Sequence, residues 1–146
     1  MDAVAGVPRF RSVVLDGVDA RELAEFYRQL LGLAYEPGDE PPPAGEDDPR
    51  GRDWVTLAAT AQSPRMAFQQ VEHLAPATWP TGPVPQQLHL DFSVPTVEDL
   101  DAQHRRALDL GARVLEDRSA DPDERLYVLA DPAGHPFCIF VLPAAS

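Results

Sequence analysis

In the stretch QQLHLDFSV, which ends at Val94, a histidine and an aspartate alternate with apolar residues. A strand with this pattern lays Leu88, Leu90 and Phe92 on one face and His89 and Asp91 on the other, because successive side chains of a strand point to opposite sides. Imidazole ordinarily titrates near neutral pH, so His89 could serve as a general base, a grip on a ligand or a metal donor. Asp91, on the same face, could orient that imidazole, meet a cationic group or be solvated at a cavity rim. Cys138, the single cysteine, lies in PFCIFVL, where a small buried thiol is the ordinary outcome. One cysteine makes no internal disulfide and builds no thiolate zinc site by itself, which suits a reducing compartment.

The elements that must position these groups can be read from pattern and punctuation. RFRSVVLDGV reads as a strand and DARELAEFYRQLLG as a helix, with Asp19 as cap, Glu22 as its capping-box partner and Gly32 as stop. LAYE reads as a short strand. The following PGDEPPPAGEDDPRGR has the composition of a mobile loop, and DWVTLAAT and RMAFQQV read as two strands joined in a hairpin-like way. EHLAPATWPTGPVPQ, with four prolines, suits a connection better than a sheet. The second half repeats the order: the opening stretch, then the helix TVEDLDAQHRRALDLGA with Thr96, Asp99 and Gly111 as its signals, then RVLE, RLYVLAD and HPFCIFVL as strands, with DPAGH as the last turn.

An offset of 77 residues carries Ser12 to His89 and Leu23 to Leu100. The expected class is therefore α+β, with two βαβββ modules related by a pseudo-twofold axis in one domain spanning 1–146. The first module covers 9–72, the linker 73–86 and the second module 87–142.

The net charge of −12, with every basic residue an arginine, would repel a phosphate backbone, so nucleic acid is not an expected partner. No apolar run reaches the roughly 18 residues of a membrane span. MDAVAGVPRF lacks the basic start and apolar segment of a secretory leader, and a cytoplasmic location is the expectation.

VVLDGVDARELAEFYRQLLGL, LHLDFSV, LGARVL and DPAGHPFCIFVL, in this order, resemble the glyoxalase, bleomycin-resistance and extradiol-dioxygenase group, the vicinal oxygen chelate superfamily, in its glyoxalase-like subgroup. The resemblance implies a curved mixed sheet enclosing a cavity, a homodimer and, in metal-dependent members, His, Glu or Gln ligands on the first and last strands of the modules. Carried onto this chain, the first-strand positions are Ser12 and His89. Cys138 stands where DPxGxxxE would supply glutamate, and Ala67 or Gln69 is the counterpart on RMAFQQV. A divalent ion that activates oxygen or an enediolate wants three or more imidazole or carboxylate donors. No cofactor is therefore expected, and the one metal site this set allows is zinc on His89 and Cys138.

Trp54, Phe68, Trp79 and Tyr127 are candidate aromatic walls of the cavity, beside Ser12, Gln69, His89 and Cys138 as ligand-binding candidates. Core packing is the competing reading for each ring except Trp79, which stands in the proline-rich linker. His73, His104 and His135 read as structural or solvent-exposed. Two functions remain open: a metal-free protein binding a small hydrophobic or aromatic molecule, or a lyase or isomerase (or unconventional metalloenzyme) using His89 as base or ligand with Asp91 in support. A third possibility is a dimer whose cavity is filled by its own side chains.

Overall fold

The structure is a computed structural model that describes residues 5–143; the remaining terminal residues, including the start of MDAVAGVPRF, lie outside it. Strand β1 (Ser12–Gly17) leads into helix α1 (Ala20–Leu31), and β2 (Trp54–Leu57) and β3 (Arg65–Gln70) follow a single 3-10 turn at Arg50–Arg52. The second unit comprises β4 (Leu90–Val94), α2 (Val97–Leu110), β5 (Arg113–Arg118), β6 (Leu126–Ala130) and β7 (Pro136–Val141). In both units the first strand pairs in parallel with the last, and the last pairs antiparallel with the one before it. The result is two mixed sheets, ordered β1-β3-β2 and β4-β7-β6-β5.

The strand expected at LAYE shrinks to one bridge, Tyr35 with Leu57, the counterpart of β5 beside β6. Its extension stops because Pro37 lacks a ladder donor and the chain turns at once, with Gly38 at φ +95° and Asp39 N–H donating to the Glu36 carbonyl. The acidic segment behind it is pinned, contrary to its composition. Arg21 grips Asp48 with two hydrogen bonds of 2.9 and 3.0 Å, and the nearly buried Asp39 accepts from the Thr56 N–H at 2.8 Å.

Both helices start on side-chain caps. Asp19 accepts from the Glu22 N–H at 3.0 Å and Thr96 from the Asp99 N–H at 3.1 Å, while Gly32 and Gly111 end them in left-handed conformation. Helix α1 turns Leu23, Phe26, Tyr27 and Leu30 inward. Tyr27 is fully buried and packs on Phe26 and Phe68 of its own module and on Phe92 and Phe137 of the other, so the two modules share one core.

Polar latches cross the same boundary. Tyr27 O–H donates to Asp131 Oδ2 at 2.7 Å, His135 Nε2 donates to the Asp16 carbonyl at 2.6 Å, and Arg106 donates to the Leu30 carbonyl at 3.1 Å. Asp131 also accepts from the backbone N–H of Ala133 and of His135, which closes the DPAGH turn. Burial pushes the Asp131 carboxyl above its ordinary range and the Tyr27 hydroxyl well above its own. Among the described residues no helix is long and apolar enough to cross a membrane.

Candidate functional site

Strand alternation divides each sheet into a face packed on the helices and a face turned away from them. In the second module Phe137, Ile139 and Leu129 join the shared core, while Leu126, Val128 and Cys138 form a small apolar cluster on the opposite face with Trp79 and Phe140 packed against it. Around that cluster lies a trough of about 290 Å³, whose polar wall is His89, Asp91, Glu116, Arg118 and Glu124.

The backbone ladder places Asp91 directly beside Cys138, since they are register partners on the parallel pair β4 and β7. His89, two residues before Asp91, falls on the same face. One donor atom from each of the three lies within 4.8 Å of the other two, and His89 Nε2 is 3.3 Å from Asp91 Oδ1. The other ring nitrogen, Nδ1, sits 3.1 Å from Gln86 Oε1. The Trp79 and His89 rings meet in a T-shaped arrangement, at 5.6 Å between centroids and 89° between planes, and the Trp79 Nε1–H donates to Glu116 at 3.0 Å. Arg118 is engaged by Asp121 and Glu124 at 3.2 and 3.4 Å.

Burial pushes the Cys138 thiol up to about 12, and the charge of Asp91 and hydrogen bonding to it, with the charges of Glu116 and Glu124, push the same way. The free group is thus a thiol at neutral pH, without the thiolate a cysteine nucleophile requires.

Of the residues proposed from sequence, Trp79, His89, Asp91 and Cys138 come together here. Ser12, Trp54 and Gln69 stand on the first module's sheet, outside the trough; Trp54 and Gln69 are register partners there, and the Trp54 Nε1–H donates to Thr56. Phe68 and Tyr127 do not wall the cavity. Phe68 is fully buried against Tyr27, and Tyr127 is 7% exposed on the helix side, where the His104 ring stacks flat on it at 3.8 Å. Sequence reasoning missed Glu116, Arg118 and Glu124 in the wall and Gln86 behind His89. The i, i+2 spacing of Glu116 and Arg118 was a usable signal, and Gln86 carried none.

His89 also lines a second cavity of about 330 Å³ between β1 and the 74–88 connection, whose walls include Val14, Leu74, Val84 and Leu88. A larger cleft of about 770 Å³ opens between the modules, with Asp91 as the one ionisable side chain in its lining.

A family model described as a glyoxalase-like domain matches residues 12–140. The chain belongs to this glyoxalase-like family. The search of curated proteins returns no match. Among solved structures, a glyoxalase/bleomycin resistance protein/dioxygenase family enzyme from Burkholderia phytofirmans is similar at TM-score 0.64 and 18% identity, covering 89% of this chain and 95% of that one. A fosfomycin resistance protein from Mesorhizobium loti is similar at TM-score 0.62 and 14% identity, covering 96% and 94%. A lactoylglutathione lyase from Agrobacterium tumefaciens is similar at TM-score 0.57 and 18% identity, covering 93% and 95%. At these identities the likeness is one of fold.

Within this glyoxalase-like fold the strand registers settle which residues occupy equivalent places. Val14 pairs with Ala67 as Asp91 pairs with Cys138, so Ala67, and not Gln69, is the counterpart of Cys138. The four positions that the resemblance assigns to a metal are then Ser12, Ala67, His89 and Cys138. A hydroxyl and a methyl group replace two donors, and this quartet does not fit a divalent ion. The donors that do converge, His89, Asp91 and Cys138, all belong to the second module, and their first-module counterparts Ser12, Val14 and Ala67 are not donors of that kind.

Proposed function

We propose that this glyoxalase-like protein binds a small hydrophobic or aromatic molecule across the cavity of about 330 Å³ and the trough, without the family's two-module metal site. The observation that carries this reading is the position of His89, whose imidazole lines both spaces. An apolar body would lie against Val14, Leu74, Val84 and Leu88, and each space is at or near the lower end of the range, ~300 Å³, that holds organic ligands. The polar end would reach a wall with three carboxylates, Asp91, Glu116 and Glu124, against one guanidinium already engaged by two acids. That imbalance favours a ligand carrying a basic nitrogen.

Native mass spectrometry of the purified protein, followed by thermal-shift screening of small aromatic and aliphatic amines, tests the reading. A ligand present at a hundred times its Kd should stabilise the fold by ~2.7 kcal/mol. The shift should shrink in Trp79→Ala and in His89→Ala. A ligand whose shift survives both substitutions binds elsewhere and overturns the assignment.

The 3.3 Å approach of Asp91 to the imidazole favours a second reading, in which the pair serves as a positioned base for a lyase or isomerase reaction. Any turnover found should be lost in His89→Ala, and turnover left unchanged there would end this reading.

A further inference from the structure

We propose that the cleft of about 770 Å³ between the modules takes an extended peptide, which adds a strand to the free edge of β4 and carries apolar and basic side chains in alternation. This goes beyond the organic-ligand reading, uses a different space and does not depend on it.

The backbone fixes which groups face the cleft. In a strand the N–H and C=O of one residue point to the same edge, and successive residues alternate between the two edges. The Val94 carbonyl accepts from the Leu142 N–H at 2.8 Å on the β7 side, so Leu90 and Phe92 turn their backbone groups to β7 as well. Asp91 and Ser93 therefore turn theirs to the opposite edge, where β4 ends its sheet and the cleft begins. Among the described residues no hydrogen bond satisfies these N–H and C=O groups. Such a row of free donors and acceptors is a template for one more strand.

The two edges of this sheet are built differently. At the far edge β5 carries Arg113, Glu116, Asp117 and Arg118, and its ladder is broken by a bulge between Val114 and Glu116; both devices discourage a further strand. LDFSV of β4 has one charge, no proline and an unbroken register with β7. The edge left open is the one that lines a cleft.

The walls of the cleft select the sequence of the occupant. A strand added to β4 continues its pleat, so its side chains alternate between the face of Phe92 and the face of Asp91 and Ser93. The first set meets Val13, Leu31 and Met66, an apolar wall continuous with the core. The second set meets Asp91, the one ionisable side chain of the lining, in a chain of net charge −12. Charge complementarity there selects a basic residue and rejects an acidic one.

The test uses the full chain and a capped, fluorescein-labelled peptide, Thr-Val-Arg-Val-Thr-Val, followed by fluorescence anisotropy beside light scattering. The expected result is saturable binding of one peptide per chain. Glutamate in place of the peptide's arginine should weaken binding several-fold, and Asp91→Asn should remove most of that difference. A peptide of the same composition with its valines in one block should bind far more weakly. N-methylation of one alternate set of the peptide's amides should abolish binding, while the other set, which points away from β4, should tolerate it. Ser93→Pro removes an N–H that the pairing with β7 does not use and should weaken binding ~10-fold, the worth of about one hydrogen bond. The same variant should keep the thermal shift caused by an amine, so each reading can fail without the other. No saturable binding, equal binding of the blocked peptide, equal effects of the two methylated sets, or an affinity unchanged in Ser93→Pro overturns the proposal, and the first three need no variant to fold. A chain that scatters as a dimer and takes no peptide overturns it too, since a second copy then holds this edge.

Discussion

Replacing Tyr27 by Phe removes one hydroxyl from the boundary between the modules and leaves the ring in place among Phe26, Phe68, Phe92 and Phe137. The hydroxyl donates at 2.7 Å to an Asp131 carboxylate that is 2% exposed, so no water replaces the lost partner. A hydrogen bond to a charged group contributes ~1.5–3 kcal/mol. An unfolding entropy of about 2.1 cal/mol/K per residue gives this chain ~0.3 kcal/mol per degree, and the expected fall in Tm is ~5–10 °C. Urea unfolding should show the midpoint dropping with an unchanged slope, because the surface exposed on unfolding stays the same. Asp131→Ala should cost more, since the Ala133 and His135 N–H groups also lose their acceptor. In that background Tyr27→Phe should cost little further. A Tm within ~1 °C of the native protein, or full additivity in the double variant, would refute the claim that this bond holds the modules together.

Two further perturbations address charge and backbone. The Arg28 guanidinium holds the Glu25 carboxyl at about 2, below its ordinary 4.5, so its contribution is present above pH 4.5 and is lost as pH falls toward 2. The urea midpoint should therefore decline more steeply over that window in the native protein than in Glu25→Gln, and parallel profiles would contradict the assignment. Gly134 sits at φ +94°, and a Cβ there would lie 2.5 Å from the Pro76 side chain. Gly134→Ala should cost more than ~1 kcal/mol and lift the linker off the DPAGH turn, with loss of the hydrogen bond from Ala77 N–H to the Gly134 carbonyl. An unchanged melting curve would show that the turn and linker tolerate the contact.

The fold was legible wherever a local rule decides the local structure. Asp19, Thr96, Gly32 and Gly111 are read as caps and stops because the groups they satisfy lie within one helical turn. The repeat was legible because each module must bury its helix with the same alternation of strands. The acidic segment misled for the opposite reason. Its composition offers no core residues, yet it is held by Arg21, 27 residues away from Asp48, and by Asp39 under the Thr56 amide. Composition carries no trace of ion pairs made across the fold.

The site divides along the same line. Alternation around His89 and Asp91 put both on one face, and the parallel register then adds Cys138 to make three donors, a step that no spacing within one strand reveals. Phe68 was open to the same test: alternation along RMAFQQ puts Ala67 and Gln69 on one face and so sends Phe68 to the helix. Tyr127 was not, because all five residues of LYVLA are buried and such a strand has no readable face. Register is what converts a list of reactive residues into a site, and here it separates the modules. The pair Asp91 and Cys138 in one module corresponds to Val14 and Ala67 in the other, so the fold repeats while its chemistry does not. A ligand on this surface would meet the polar groups of the second module, with the first contributing the apolar wall around Val14.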